Sequence, residues 1–155
     1  MNKLYKIGYN INNFLMNILY WVGHFNKLSE AKEYKRSIEV RSIENIKYYV
    51  NMFKWKEDRP WNWTPWIITL CARRLEDDCD GAAELGKWLL SKINIDSNLI
   101  VLKGSEGNHI ICIDKNKTFM ITNNQFVTIN DSDNWKNEVL NWDWHKDKYS
   151  LLHIW

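Results

Sequence analysis

The chain has no long hydrophobic run, little proline or glycine, few cysteines and almost no imbalance of charge. Each shortage excludes something. Two prolines and six glycines in 155 residues leave no linker or low-complexity tract to divide the chain, so a single domain over 1–155 is expected. Lys and Arg total 21 against 19 Asp and Glu, a net charge of +2, and the basic residues do not gather on one segment. That argues against the concentrated basic stripe of a nucleic-acid-binding surface. The three cysteines, Cys71, Cys79 and Cys112, cannot all pair within one chain and follow no framework spacing. Free thiols in a reducing, cytoplasmic setting are expected. The apolar stretch from Ile11 to Val22 is interrupted by Asn12, Asn13 and Asn17 and is too short to span a bilayer. Neither a signal peptide nor a membrane partner is expected.

What is present is an ordinary globular composition, 45% hydrophobic and 26% charged, with ten tryptophans. Trp55, Trp61, Trp63 and Trp66 precede Cys79, and Trp135, Trp142, Trp144 and Trp155 lie near the end. The first half reads as helices. Ile11, Phe14, Leu15, Ile18, Leu19 and Val22 recur at three- and four-residue spacing, which predicts an amphipathic helix with its stripe in the core. A second helical segment is expected from Ser29 to Phe53. Thr64-Pro65 suits an N-cap followed by the first helical position, opening a helix that carries Ile67, Ile68, Cys71 and Leu75. A further helix should begin at Asp78-Cys79 and run to about Ile93, with Ala82, Gly86, Leu89 and Ile93 on one face. Gly86 costs roughly 1 kcal/mol of helix propensity, a choice that makes sense where another element approaches closely.

After Asn94 the texture changes. Leu99 to Leu102, His109 to Ile113, Thr118 to Thr122 and Gln125 to Ile129 are short, rich in β-branched residues and separated by turn formers. Tyr149 to Trp155 adds a possible last strand. Helices first and adjacent strands later predict an α+β domain with an antiparallel sheet.

Arg74 to Ala83 is the stretch that carries chemistry. It places Cys79 at the start of a helix, where first-turn N–H groups and the helix dipole stabilise a thiolate, the nucleophilic form. Asp77, Asp78 and Asp80 pull the other way, because nearby negative charge raises a thiol pKa. A histidinium partner would settle the balance, and His109, at the start of an apolar strand, is the candidate. Simple burial is the competing account of both residues. If Lys115-Asn116-Lys117 forms a three-residue loop, Ile113 faces Phe119, Ile111 faces Ile121 and His109 faces Asn123, with every apolar partner on one face. The Asn123 carboxamide would then accept from the imidazole N–H and orient the ring.

The run Trp63-Thr-Pro65, Asp78-Cys-Asp-Gly-Ala-Ala83, His109-Ile-Ile and Ile121-Thr-Asn-Asn124 resembles the bacterial transglutaminase-like cysteine peptidases. Their pattern is Trp-x-Thr-Pro, Gly-Asp-Cys-acidic-Asp, His-x-Val-Leu and Val-Leu-Asp-Asn. The resemblance covers about residues 45 to 125. It implies a papain-like or transglutaminase-like fold, Cys79 as nucleophile, His109 as base and Asn123 where the family has aspartate. Asp77 stands where the family has glycine, and Gly81 where it has an acid. A metal is not expected, since Gly81 supplies no ligand, and neither is another cofactor. The implied reaction is acyl transfer on a peptide or protein substrate, with the Cys79 N–H in the oxyanion hole. Asn62 and Trp63 are the region for a second donor, and Trp61, Trp63 and Trp66 are candidate walls of a substrate groove. The same fold without activity would be a binding or inhibitory module, or a component of a larger assembly. Oligomeric state is not fixed by the sequence.

Cys71 and Cys112 read as core thiols. Asp131-Ser-Asp133 reads as a turn or N-cap before Trp135.

Overall fold

The structure is a computed structural model that describes residues 3–57, 64–104, 107–142 and 150–154. Its helices are α1 (Lys3–His24), α2 (Leu28–Ser37), α3 (Ile43–Asn51), α4 (Ile67–Ala72), α5 (Cys79–Ser91) and α6 (Trp135–Leu140). Its strands are β1 (Lys54–Trp55), β2 (Glu76–Asp77), β3 (Ser97–Lys103), β4 (Asn108–Asp114), β5 (Phe119–Thr122), β6 (Gln125–Thr128) and β7 (Ser150–Ile154). β1 and β2 form a short parallel pair, and the other strands form one antiparallel sheet in the order β6-β5-β4-β3-β7. The α+β class with an antiparallel sheet is as the sequence texture predicts.

The sheet separates two cores because successive side chains on a strand point to opposite faces. On one face Cys112 and Ile121, with Leu99 and Ile110 beside them, pack against Ala82, Leu85 and Leu89 of α5 and on to α3 and α4. On the other, Ile100, Leu102, Ile111, Ile113 and Met120 meet Trp135 and Val139 of α6, with Trp142 against them. Gly86 permits the closest approach in the first layer. A Cβ there would stand 3.0 Å from Ile121 Cδ1, tighter than ordinary packing.

The apolar periodicity of the first helix is real but its burial is reversed. Ile11, Phe14, Leu15, Leu19 and Val22 are exposed on α1, Val22 by 76%, while Asn17 is fully buried. Asn17 is a satisfied polar anchor: its amide donates to Thr64 O at 3.1 Å, and its Oδ1 accepts from Trp66 N at 2.7 Å and Thr69 Oγ1 at 3.1 Å. Trp21 Nε1 also donates to Thr69 Oγ1, at 3.1 Å. Among the described residues most of the apolar stripe is left uncovered, with Phe14 alone set against an aromatic ring, that of Trp66.

Other boundaries shift for local reasons. The expected helix from Ser29 to Phe53 is two helices, because Ser42 caps α3 by accepting from Asn45 N. Thr64-Pro65 does not open α4; Trp66 is its N-cap. The Thr64 hydroxyl is committed elsewhere, donating to Asp80 Oδ2 at 2.8 Å. Cys71 and Cys112 are buried thiols, as expected. Asp131 Oδ1 accepts from Asp133 N and Asn134 N, the turn expected before Trp135. Among the described residues no helix is long and apolar enough to cross a membrane.

Candidate active site at the start of α5

Cys79 is delivered by a tightly constrained connection. Arg74 and Leu75 both have left-handed backbones, φ 56° and 61°, a conformation that costs a non-glycine residue about 1–2 kcal/mol. The fully buried Leu75 side chain, the Leu75 N–H bond to Leu70 O and the Lys54 N–H bond to Leu75 O hold it there, both bonds at 2.9 Å. The β1–β2 pairing then fixes Glu76 and Asp77. Asp78 caps α5, its side chain accepting from Asp80 N at 3.2 Å. Cys79 therefore starts the helix, as its sequence context predicts.

The backbone N–H groups of Ile110 and of Cys79 itself lie near enough to the sulfur to lower the thiol pKa. Ile110 follows His109 at the start of β4. By strand alternation the His109 side chain shares the face of Ile111 and Ile113, which is turned to α6, while Ile110 and Cys112 face α5. Both N–H groups favour thiolate, but burial dominates, and with Asp78 and Asp80 it pushes the thiol up to about 12. Cys71 and Cys112 rise to about 11 and about 12, burial again being the main cause. His109 is 9% exposed. Burial depresses its imidazole from 6.5 to about 4, against a smaller upward pull from Asp78. The resting pair is thus neutral thiol and neutral imidazole.

The partner of His109 differs from expectation. Its Nε2 lies 2.7 Å from Thr122 Oγ1. Asn123, expected to orient the ring, has φ 47° in the turn between β5 and β6. Its Oδ1 is buried without a hydrogen-bond partner among the described residues. The cause is a one-residue change of register. Cys112 pairs with Ile121 and Ile113 with Met120, not Ile113 with Phe119, and a slip of one reverses every side chain. The connecting turn is longer than three residues because the Asp114 carboxylate organises it. Asp114 accepts from the N–H groups of Asn116, Thr118 and Phe119 at 2.7–2.9 Å and from the Thr118 hydroxyl at 3.1 Å. Thr122 therefore shares the face of His109, Ile111 and Met120. An aspartate at a strand end followed by Asn-Lys-Thr is the signal for this capped turn that the pairing argument overlooked.

Trp61, Asn62 and Trp63 lie outside the described residues. Trp66 is 42% exposed, stacks obliquely on Phe14 of α1 at 5.9 Å and lines a groove with Ile18, Trp21 and Phe25. It also lines a second groove with Thr64 and Glu84, both of which border the cavity between α5 and the sheet.

Asp77, Asp78 and Asp80 offer ligand atoms within 4.8 Å of one another, the group here best able to hold a cation. Asp77 is already paired with Arg73 Nη1 at 3.0 Å. Burial and the neighbouring Asp78 and Asp77 hold the Asp80 carboxyl well above the usual range. Gly81 belongs to this arrangement: a Cβ at 81 would overlap the Asp77 carboxylate.

No protein-family model matches the chain, and neither does any curated protein or solved structure.

Proposed function

We propose that the chain is a cysteine-dependent amide hydrolase or acyl transferase of transglutaminase-like kind, acting on a peptide or protein, with Cys79 as nucleophile, His109 as base and Thr122 as the residue that orients the imidazole. The observation that carries this reading is the placement of Cys79 at the Asp78-capped start of α5, with the Ile110 N–H favouring its thiolate and the buried His109 preceding Ile110 at the start of β4. The family likeness in the sequence supports it, and its two departures are reciprocal. Asp77 replaces the family's glycine and Gly81 its acid, and the Asp77 carboxylate occupies the space a side chain at 81 would need. The likeness places Asn123 at the third position, but Met120-Ile-Thr-Asn123 reads as well against Val-Leu-Asp-Asn as Ile121-Thr-Asn-Asn124 does, so Thr122 is equally open to it.

With Nε2–H donated to Thr122 Oγ1, the lone pair of Nδ1 is the base. The thiol proton passes to Nδ1 as sulfur attacks the amide carbonyl, so a pair that rests neutral becomes charged only during reaction. The Cys79 N–H stabilises the oxyanion. Imidazolium then protonates the departing amine, leaving a thioester that water or a second amine resolves.

A second reading, a non-catalytic binding module of the same fold, is favoured by one observation: burial and two aspartates hold Cys79 protonated. Iodoacetamide labelling separates the two. Cys79 is half-buried while Cys71 and Cys112 are buried, so excess reactivity at Cys79 reports assistance only where removal of His109 abolishes it. The enzyme reading expects Cys79 to label at least about tenfold faster than Cys71 and Cys112 at neutral pH, and His109→Ala to abolish the excess. Equal, slow labelling of all three would establish the binding module instead.

A further inference from the structure

Between α5 and the sheet lies a cavity of about 140 Å³ that Asp80, the residue after Cys79, borders. That is well below the volume of a small-molecule pocket and suits a single side chain. Leu99, Val101 and Ile110 form its apolar wall, Asp80 and Glu84 its polar wall, and Lys87 its rim. Cys79 itself does not line the cavity, but Asp80, next to it in the chain, and Ile110, whose N–H lowers the Cys79 pKa, both do.

Both acids are under-satisfied. Asp80 is 2% exposed, and its Oδ1 is buried with no hydrogen-bond partner among the described residues. Glu84 is half-buried and forms no hydrogen bond or ion pair there. Burial raises the Glu84 carboxyl, and Lys87 lowers it only in part. Lys87 itself is exposed. Two desolvated carboxyl groups, Glu84 without a donor and Asp80 with only its Oδ2 met by the Thr64 hydroxyl, opposite an apolar wall, match the chemistry of a long cationic side chain. Its methylenes cover the wall and its charged head meets the acids.

We propose that this cavity is a subsite for a lysine or arginine side chain of the peptide substrate, with Glu84 as its specificity-determining residue. The proposal rests on the acyl-transfer reading and extends it to a substrate class. Neutral aliphatic residues would leave both carboxyls unpaired, and acidic residues would meet like charge, so both should be disfavoured.

The test measures binding, separately from the reactivity of Cys79. The full chain is titrated with acetyl-lysine methylamide and with its neutral isostere acetyl-norleucine methylamide, followed by NMR. The lysine probe should bind about tenfold tighter, and Glu84→Gln should remove most of that preference, as loss of one member of a partly buried charge pair does. Lys87→Met, at an exposed position, should tighten lysine-probe binding severalfold by removing a competing cation, and keeps the test decisive if Glu84→Gln does not fold. Equal affinity for the two probes, or no gain in Lys87→Met, overturns the subsite. Iodoacetamide labelling on the same samples shows independently whether the acyl-transfer reading stands. A reactive Cys79 without a cation preference would sink the subsite alone.

Discussion

α1 and α5 carry similar sequence patterns and meet opposite fates. Both place apolar residues at three- and four-residue spacing, yet α5 buries Leu85, Leu89 and Leu90 completely, whereas α1 exposes Leu19 and Val22 by 62% and 76%. α5 is held by shape, down to the glycine that admits Ile121. α1 is held by hydrogen bonds through Asn17 and Trp21. Periodicity therefore reports that a helix forms and which residues share a face, but not which face is covered.

The contrast is open to direct attack by substitution. Leu89→Ala in α5 should cost about 2–5 kcal/mol, since a fully enclosed site cannot collapse around the lost atoms; urea unfolding would show a lowered midpoint. Gly81→Asp should cost about 1–3 kcal/mol through overlap with the Asp77 carboxylate. Adding Asp77→Gly should recover most of that loss, because the two positions share one space, and simple additivity in the double variant would refute the reciprocal swap. Asn17→Ala in α1 should cost about 1–3 kcal/mol by stranding Trp66 N–H and the Thr69 hydroxyl, although an apolar residue replaces a polar one. Leu19→Ser, on the exposed stripe, should change stability by less than about 0.5 kcal/mol. A large loss there would mean that the stripe is covered after all.

Much of the domain was legible in the sequence. The strands after Asn94, the start of α5 at Cys79 and the reason for Gly86 followed from β-branched runs, a capping aspartate and a missing side chain. The placement of Cys79 and His109 was legible, because a cysteine at a capped helix start and a histidine near the start of an apolar strand have local signatures. Thr122 was not. Its selection depends on register, and register depends on how Asp114 spends its carboxylate, which a count of loop residues does not capture. The burial of Asn17 was equally invisible, since its partners, Thr64, Trp66 and Thr69, lie about 50 positions away.

The central claim is that neutral His109 is the base for Cys79, and the pH dependence of Cys79 acylation tests it most directly. The rate with p-nitrophenyl acetate would be followed by intact mass. An imidazole that titrates at about 4 is unprotonated above that pH, so base-assisted acylation should rise through about pH 4 and then stay level across neutral pH. The unassisted reaction of a thiol held at about 12 instead climbs roughly tenfold per pH unit, because only the thiolate reacts. His109→Ala should convert the first profile into the second, and Thr122→Val should lower the plateau without abolishing it. The same steadily climbing profile in the wild-type chain and in His109→Ala would contradict the account.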